Sequence, residues 1–119
     1  MIYKSSKLIP SDKCGVWLVK VFHLYRGFSR KVSHTGDFIK CSVKKTRPEN
    51  WLKKKTKTKG IIVRTKKEVF KRDGSFVKFF YNNAVLLKKR MTPQGKEIFG
   101  PTLYNIKRKK FVSSFVGTI

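Results

Sequence analysis

The side chains with clear chemical potential in this sequence are cations, which recur in short clusters from Lys4 to Lys110. A lysine ammonium acts as a point charge and an arginine guanidinium as a planar fork, and both bind phosphate oxygens. Long cations at strand ends and in loops reach outward from a rigid scaffold, which makes them candidate phosphate contacts. The candidates are Arg30, Lys31, Lys44, Arg47, Lys53, Lys54, Lys55, Lys57, Arg64, Lys66, Lys67, Lys71, Arg72, Lys107, Lys109 and Lys110.

The charge balance of the whole chain indicates a polyanionic partner. Thirty Lys and Arg stand against six Asp and Glu, which gives a formal net charge of +24 over 119 residues. A single basic cluster is usually an ordinary solvated surface, but ordinary surfaces intersperse both signs. Self-repulsion at this charge destabilises a compact domain, and a bound polyanion offsets it. Because Lys outnumbers Arg, the pattern favours backbone and shape recognition of folded RNA over bidentate contacts to bases.

The residues that could support catalysis are few and scattered. His23 falls within an expected strand, where a packed or hydrogen-bonded imidazole is more common than a catalytic one. The sequence contains neither a nucleophile elbow nor a Gly-rich phosphate loop. The carboxylates are Asp12, Asp37, Glu49, Glu68, Asp73 and Glu97. They form no close pair in which one could act as the acid and the other as the base. We therefore expect no enzymatic activity.

Cysteine usage argues against metal and cofactor chemistry. Cys14 and Cys41 are far apart, form no C-x-x-C motif, and have only His23 and His34 to assist them. This pattern is typical of two small reduced thiols, so we expect no metal site and no cofactor. Apolar runs such as residues 16–19 are far too short to span a bilayer, and we expect no membrane association.

Strand signals dominate the first 90 residues. Residues 37–44 alternate strictly, with Ile39, Cys41 and Val43 on one face and cations or Ser on the other. Asp73-Gly74 is a strong hairpin-turn signal. The predicted strands are residues 16–24, 37–44, 60–65, 69–71, 75–80 and 83–87. Their spacing predicts a mainly β fold and a small closed barrel. The side chains predicted to be mostly buried are Ile39, Cys41, Val43, Ile61, Val63, Val77, Phe79, Val85 and Leu87.

The length predicts one domain, residues 1–119, with the barrel over about residues 1–90 and a C-terminal loop with short helices over about 91–119. Apolar residues in 102–115 stand at helical spacing, so we expect Ile106 and Phe111 to dock on the barrel.

In residues 53–59, five of seven positions are Lys, which predicts a loop that is mobile until RNA neutralises it. Phe76 and Phe80 share one strand face, where they either stack on bases or are covered by a neighbouring segment.

Specific motifs then relate the chain to a family. The matching segments are residues 61–69 (Ile-Ile-Val-Arg-Thr-Lys-Lys-Glu-Val), Asp73-Gly74-Ser75, Asn82, residues 84–87 (Ala-Val-Leu-Leu) and residues 98–101 (Ile-Phe-Gly-Pro). In this order and spacing, the chain resembles the bacterial-type large ribosomal subunit protein 14 family. Upstream, Asp12, Gly15 and Gly36-Asp37 fit the same pattern. The likeness extends nearly without gaps over most of the chain.

The resemblance implies a five-stranded β-barrel with a projecting β-hairpin and short C-terminal helices. It implies a structural constituent of the large ribosomal subunit that binds large-subunit rRNA and ribosomal proteins 3 and 19. It also implies a position at the subunit interface, touching small-subunit rRNA. The competing hypothesis is an OB-like module that binds single-stranded nucleic acid off the ribosome, which surface aromatics in a groove would favour.

The chain departs from the family pattern at several positions. Phe80-Tyr81 replaces an acidic or Gly-containing pair, so we expect Phe80 and Tyr81 to contact another molecule, protein or RNA. The candidate protein contacts, which include lineage-specific mitoribosomal proteins, are at Phe80, Tyr81 and Phe99. Lys96-Glu97 replaces the usual Thr-Arg in a loop that the resemblance associates with a ribosome-silencing factor. A bias toward Lys, Phe, Ile and Asn, with no leader in the first residues, predicts an organelle-encoded protein of the mitochondrial ribosome in the matrix. A plastid or bacterial ribosome is the alternative.

Overall fold

The β-branched and aromatic runs of the sequence form the strands of a computed structural model that describes residues 1–25, 27, 31–95, 97–104, 106, 115 and 117–119. Within these residues there are seven strands and no helix. The strands are β1 (Lys7–Pro10), β2 (Val16–Leu24), β3 (Phe38–Thr46), β4 (Lys57–Arg64), β5 (Val69–Phe70), β6 (Phe76–Val77) and β7 (Asn83–Leu87). In this described part of the chain, no helix is long and apolar enough to cross a membrane.

Five of the strands close into a barrel in the order β1-β2-β3-β4-β7. Neighbouring strands are antiparallel, except that β1 runs parallel to β7, with Ile9 opposite Asn83 and Pro10 opposite Ala84. Strands β5 and β6 form a separate two-stranded hairpin. The predicted mainly β fold, with a five-stranded barrel and a hairpin, is confirmed. Strand β1 was not predicted, although its Leu8 is fully buried in the barrel.

The barrel interior is filled by the alternating apolar side chains of β2 and β3. Ile39, Cys41 and Val43 are completely buried, as predicted, and they belong to one cluster with residues of β2 such as Val19 and Val21. The cluster also contains Ile62 of β4 and Leu86 of β7. Cations therefore lie outside along β3, which confirms the predicted register.

A second apolar cluster lies on the other face of β4 and β7. Ile61, Val63, Val85 and Leu87 are buried there, as predicted, together with Ile98, Ile106 and Phe115. Strands covered on both faces carry continuous apolar runs instead of alternation, which is the pattern of Ile61-Ile62-Val63. Ile106 docks on the barrel as expected, and Phe111 lies outside the described residues. Val77 and Phe79 are only half-buried, because the hairpin stands apart from both clusters.

The predicted helix over residues 102–115 does not begin at Thr102. Thr102 instead forms a parallel bridge with Thr118, and the Ile119 amide donates to the Thr102 carbonyl at 2.9 Å. The Tyr104 amide in turn donates to the Ile119 carbonyl at 3.1 Å. Residues 105, 107–114 and 116, which hold the rest of the predicted helix, lie outside the described part of the chain.

The Lys-rich stretch predicted as a loop over residues 53–59 is a tight turn followed by a strand. Lys57 and Lys59 belong to β4. Thr58 between them faces the barrel interior, where its hydroxyl lies 3.6 Å from the Cys41 sulfur. The turn places Lys55 at a φ of 71°, and the Lys55 amide donates to the Val43 carbonyl at 2.8 Å. The expectation of a single loop was therefore wrong.

Candidate nucleic-acid interface

The outer face of strands β2, β3 and β4, here called the sheet face, presents cations in rows. Strand pairing places Lys40 beside Lys59, and Lys20, Ser42 and Lys57 in the neighbouring row. Cross-strand partners share a face and stand about 5 Å apart. The rows are separated by two residues along a strand, or about 6.6 Å. The sheet face therefore holds several ammonium groups at fixed intervals that suit a phosphate backbone.

The ring of Phe22 in β2 and the ring of Tyr25, directly after β2, lie against lysines of β4. The Lys57 ammonium lies 5.9 Å from the centroid of the Phe22 ring, and the Lys59 ammonium lies 5.6 Å from that of Tyr25. The Tyr25 ring meets His23 edge-on at 4.6 Å. A cation over an exposed ring gains about 0.5–1 kcal/mol, which restricts the conformations of both lysine side chains. His23 thus has a packing role, as expected from its place in the strand.

The sheet face includes cations that the sequence analysis did not select. Lys20, Lys40 and Lys59 belong to it, whereas only Lys57 was among its candidates. The signal was present, because Lys40 alternates with the buried Ile39 and Cys41. Selection by strand ends and loops excluded Lys20 and Lys40, which stand within predicted strands.

The hairpin presents a second basic surface. Lys66, Lys67 and Arg72 are exposed on it, and Lys71 is half-buried. Its turn is closed by Asp73, whose carboxylate accepts hydrogen bonds from the Ser75 hydroxyl at 2.7 Å and the Ser75 amide at 3.1 Å. These bonds hold the pKa of Asp73 below its usual value. At the hairpin base, the Lys66 amide donates to the Asn82 side chain at 2.8 Å, so the hairpin is fixed at both ends.

Arg64 packs against its own chain. It is half-buried, and its Nη1 donates to the Pro101 carbonyl at 3.5 Å. Burial lowers the pKa of the guanidinium from its ordinary value. Gly100 has a φ of 77°, and a Cβ there would overlap the Arg64 guanidinium. Arg64 therefore joins β4 to the segment around Gly100, and its predicted contact with RNA stays a prediction.

A third basic surface is a cleft of about 940 Å³, here called the Trp51 cleft. Segments from four parts of the chain line it, and its cations are Lys13, Arg47, Lys88 and Lys89. Lys13 forms an ion pair with Glu97 at 3.7 Å, with both side chains largely exposed. The cleft was not predicted, although Arg47 was selected as a candidate.

The acidic and thiol groups beside this cleft have structural roles. The buried Asp12 carboxylate accepts a hydrogen bond from the Gly95 amide at 3.0 Å, and burial raises the pKa of Asp12. Burial, followed by the Asp12 charge, raises the pKa of Cys14 to about 12. Burial likewise raises the pKa of Cys41 to about 11. A thiol with such a pKa stays protonated and is a poor nucleophile at neutral pH. Within the described residues, no group of His, Cys, Asp and Glu could hold a metal ion.

Exposed aromatic side chains lie on the hairpin, directly after it, and at Phe99. Phe70 and Phe76 stand opposite each other and meet edge-on, with ring centroids 6.2 Å apart. Phe80 is 90% exposed, so it does not pack in the barrel, and Tyr81 and Phe99 are also exposed. No segment among the described residues covers them. Their predicted contacts with other molecules stay predictions.

The remaining candidates fall into two groups. Lys53, Lys54 and Lys55 are exposed on the turn before β4, and Lys31 is exposed before β3, whereas Lys44 is half-buried within β3. The candidates that lie outside the described residues are Arg30, Lys107, Lys109 and Lys110.

Residues 1–116 match the model of a family described as ribosomal protein L14p/L23e. The chain belongs to this family. The large ribosomal subunit protein uL14m of Tetrahymena pyriformis is 57% identical over 119 residues, which is the whole of both chains. The resemblance inferred from the motifs is thereby confirmed. The chain is a structural constituent of the large ribosomal subunit and not an enzyme, and an OB-like role off the ribosome is not favoured.

Proposed function

We propose that this protein binds large-subunit rRNA of the mitochondrial ribosome by phosphate contacts spread over the sheet face, the hairpin and the Trp51 cleft. The observation that carries the proposal is that, among the described residues, many cations stand on elements that hydrogen bonds and strand pairing already hold in position. Little conformational entropy is lost when such side chains meet phosphates. A mitochondrial location follows from the relative in Tetrahymena pyriformis, since the suffix m of its name denotes a mitochondrial protein.

The basic surfaces suit RNA more than an acidic protein because they extend over both the barrel and the separate hairpin, and the sheet face joins the Trp51 cleft through a shared depression. An RNA that folds around a small domain can contact several faces at once, and each neutralised phosphate releases counterions. The excess of Lys over Arg gives charge neutralisation with little base reading. We therefore expect binding that depends on RNA shape and salt more than on base sequence.

The exposed aromatic side chains suit protein neighbours. Phe80 and Tyr81 stand next to each other, and a ring as exposed as that of Phe80 gains from burial against an apolar partner. Ribosomal proteins 3 and 19 are proposed neighbours of the chain. An additional, lineage-specific mitoribosomal protein is the candidate neighbour of Phe80 and Tyr81, and Phe99 is a further candidate protein contact. Small-subunit rRNA across the interface is a further proposed contact.

Sedimentation of mitochondrial extract tests the proposal. A tagged copy of the full chain is expected to travel with the large subunit at low salt and to remain bound after the subunits separate. Recovery of the chain in free fractions only, under conditions in which another large-subunit protein stays assembled, would contradict the proposal.

A further inference from the structure

Trp51 has an unusual position for a large aromatic side chain, because its indole is 89% exposed while the next residue is buried. Leu52 is only 6% exposed and belongs to the barrel core. An exposed indole in a flexible loop would have little significance. Here the adjacent core residue fixes the backbone that carries it, so the ring is presented outward from a rigid base.

The residue before Trp51 is fixed as well. The Asn50 side-chain amide donates to the Thr46 hydroxyl at 2.8 Å and to the Leu52 carbonyl at 3.4 Å. The Asn50 backbone amide donates to the Arg47 carbonyl at 3.2 Å. Gly15 allows this arrangement, since a Cβ at Gly15 would come within 2.8 Å of the Asn50 side chain. Both neighbours of Trp51 are therefore locked in place.

The surroundings of the indole are strongly basic. Lys13, Arg47, Lys88 and Lys89 line the same cleft, against the single carboxylate of Glu97. The volume of about 940 Å³ falls within the range of clefts that take small organic ligands. An aromatic ring carried by a fixed backbone among cations is the arrangement by which proteins hold unpaired nucleotides, with the ring on the base and the cations on the phosphates.

We propose that Trp51 stacks on one unpaired base of an RNA strand, while Arg47, Lys88 and Lys89 bind the flanking phosphates. This inference rests on the proposed function, since rRNA supplies the strand. A paired base has its faces covered by its neighbours in the helix, so only an unstacked base can reach the indole. The side-chain amides of Asn50 and Gln94 and the Gly95 backbone amide already donate within the protein, so the proposed contact is to the face of the base.

Binding to two RNA probes tests the proposal with the full chain. The probes are a short single-stranded oligouridylate and an RNA duplex of the same length, each titrated at several salt concentrations. Trp51→Ala is expected to weaken single-strand binding about 5- to 150-fold, the range that one base stack supplies. The slope of affinity against salt should not change, because no charge is lost. Trp51→Phe should retain part of the affinity, and duplex binding should change little.

Trp17→Ala is the matched control, because Trp17 is an exposed indole that does not line the cleft. In a Trp17→Phe background, quenching of the remaining Trp51 fluorescence by oligouridylate reports the stack directly. If wild-type protein binds RNA but Trp51→Ala binds the single strand equally well, the stacking inference is overturned while the proposed function stands. If wild-type protein binds neither probe, the RNA-binding function itself fails. A photo-crosslinker at position 51 that captures protein and no RNA in assembled subunits would also overturn the inference.

Discussion

Neutralising the sheet face should lower both the stability of the free protein and its affinity for RNA. The perturbation is the triple change Lys40→Gln, Lys57→Gln and Lys59→Gln, which removes three charges from neighbouring strands. Lys40 and Lys59 are direct cross-strand partners, and like charges in that position destabilise a sheet by about 0.2–1 kcal/mol. The variant also loses the contacts of Lys57 and Lys59 with the Phe22 and Tyr25 rings, about 0.5–1 kcal/mol each, which exceeds that gain. The free variant should therefore melt up to a few degrees lower than the wild-type protein.

The same change should weaken RNA binding in a salt-dependent way. Each lost phosphate contact lowers the slope of log affinity against log salt by about 0.7–0.9, so three contacts lower it by about 2–3. Between about 50 and 200 mM salt, the ratio of wild-type to variant affinity should then shrink by roughly 16- to 64-fold. The assay is a salt titration of binding to a large-subunit rRNA fragment, followed by thermal melting of each free protein.

A charge-preserving control distinguishes loss of contacts from loss of structure. Changing the same three residues to Arg keeps the cations, and the slope should stay at the wild-type value. An unchanged slope in the Gln variant, with the protein folded, would show that the sheet face is an ordinary solvated surface. A higher melting temperature in the Gln variant would show that cross-strand repulsion outweighs the two ring contacts.

Three further predictions concern the hairpin, Gly100 and Asp12. Lys66→Glu with Lys67→Glu should weaken binding to rRNA more than Lys66→Arg with Lys67→Arg, and equal affinities in a salt titration would exclude the hairpin as a contact. Gly100→Ala should lower the free energy of unfolding by about 1–3 kcal/mol, because it combines a positive φ with overlap on Arg64. Gly117→Ala, with open space around its Cβ position, should have little effect on the same denaturant titration. Because burial raises the pKa of Asp12, the folded state binds its proton more tightly, and stability is lost as pH rises from the ordinary value of 3.8 through the raised pKa. Asp12→Asn should remove that loss, so a melting-temperature difference from wild type that is constant with pH would contradict it.

Local patterns predicted the parts of the fold that depend on neighbouring residues. The bounds of β2 and β7 follow from runs of β-branched and aromatic side chains, and alternation predicted the buried face of β3. The start of β4 was missed because three of the first four residues there, Lys57, Thr58 and Lys59, resemble the preceding basic turn. The strand is revealed by the contact of Thr58 with Cys41 in the barrel interior, and these two residues are 17 positions apart in sequence.

The candidate site was less predictable because it is assembled from distant segments. The Trp51 cleft combines residues near positions 13, 47, 51, 88 and 94, and no local pattern brings these together. The two-sided burial of β4 and β7 likewise depends on cover by residues such as Ile98 and Ile106. Arg64 looked like a free cation in sequence, and only the position of Gly100 shows that its guanidinium contacts the chain itself.

The parallel pairing of β1 with β7 has a consequence for the order in which the chain folds during synthesis. Ile9 of β1 accepts a hydrogen bond from the side chain of Asn83, 74 residues later in the chain. Residues 11–13 also pair with residues 97–99, which leave the ribosome later still. Pairing over such separations is slow, since loop-closure entropy must be overcome first. Strands β1 to β4 can pair as they emerge, but the barrel stays open until nearly the whole chain has been translated. Until then β1 and β4 present unpaired edges, so a nascent chain of this kind depends on prompt completion or on a chaperone to avoid aggregation.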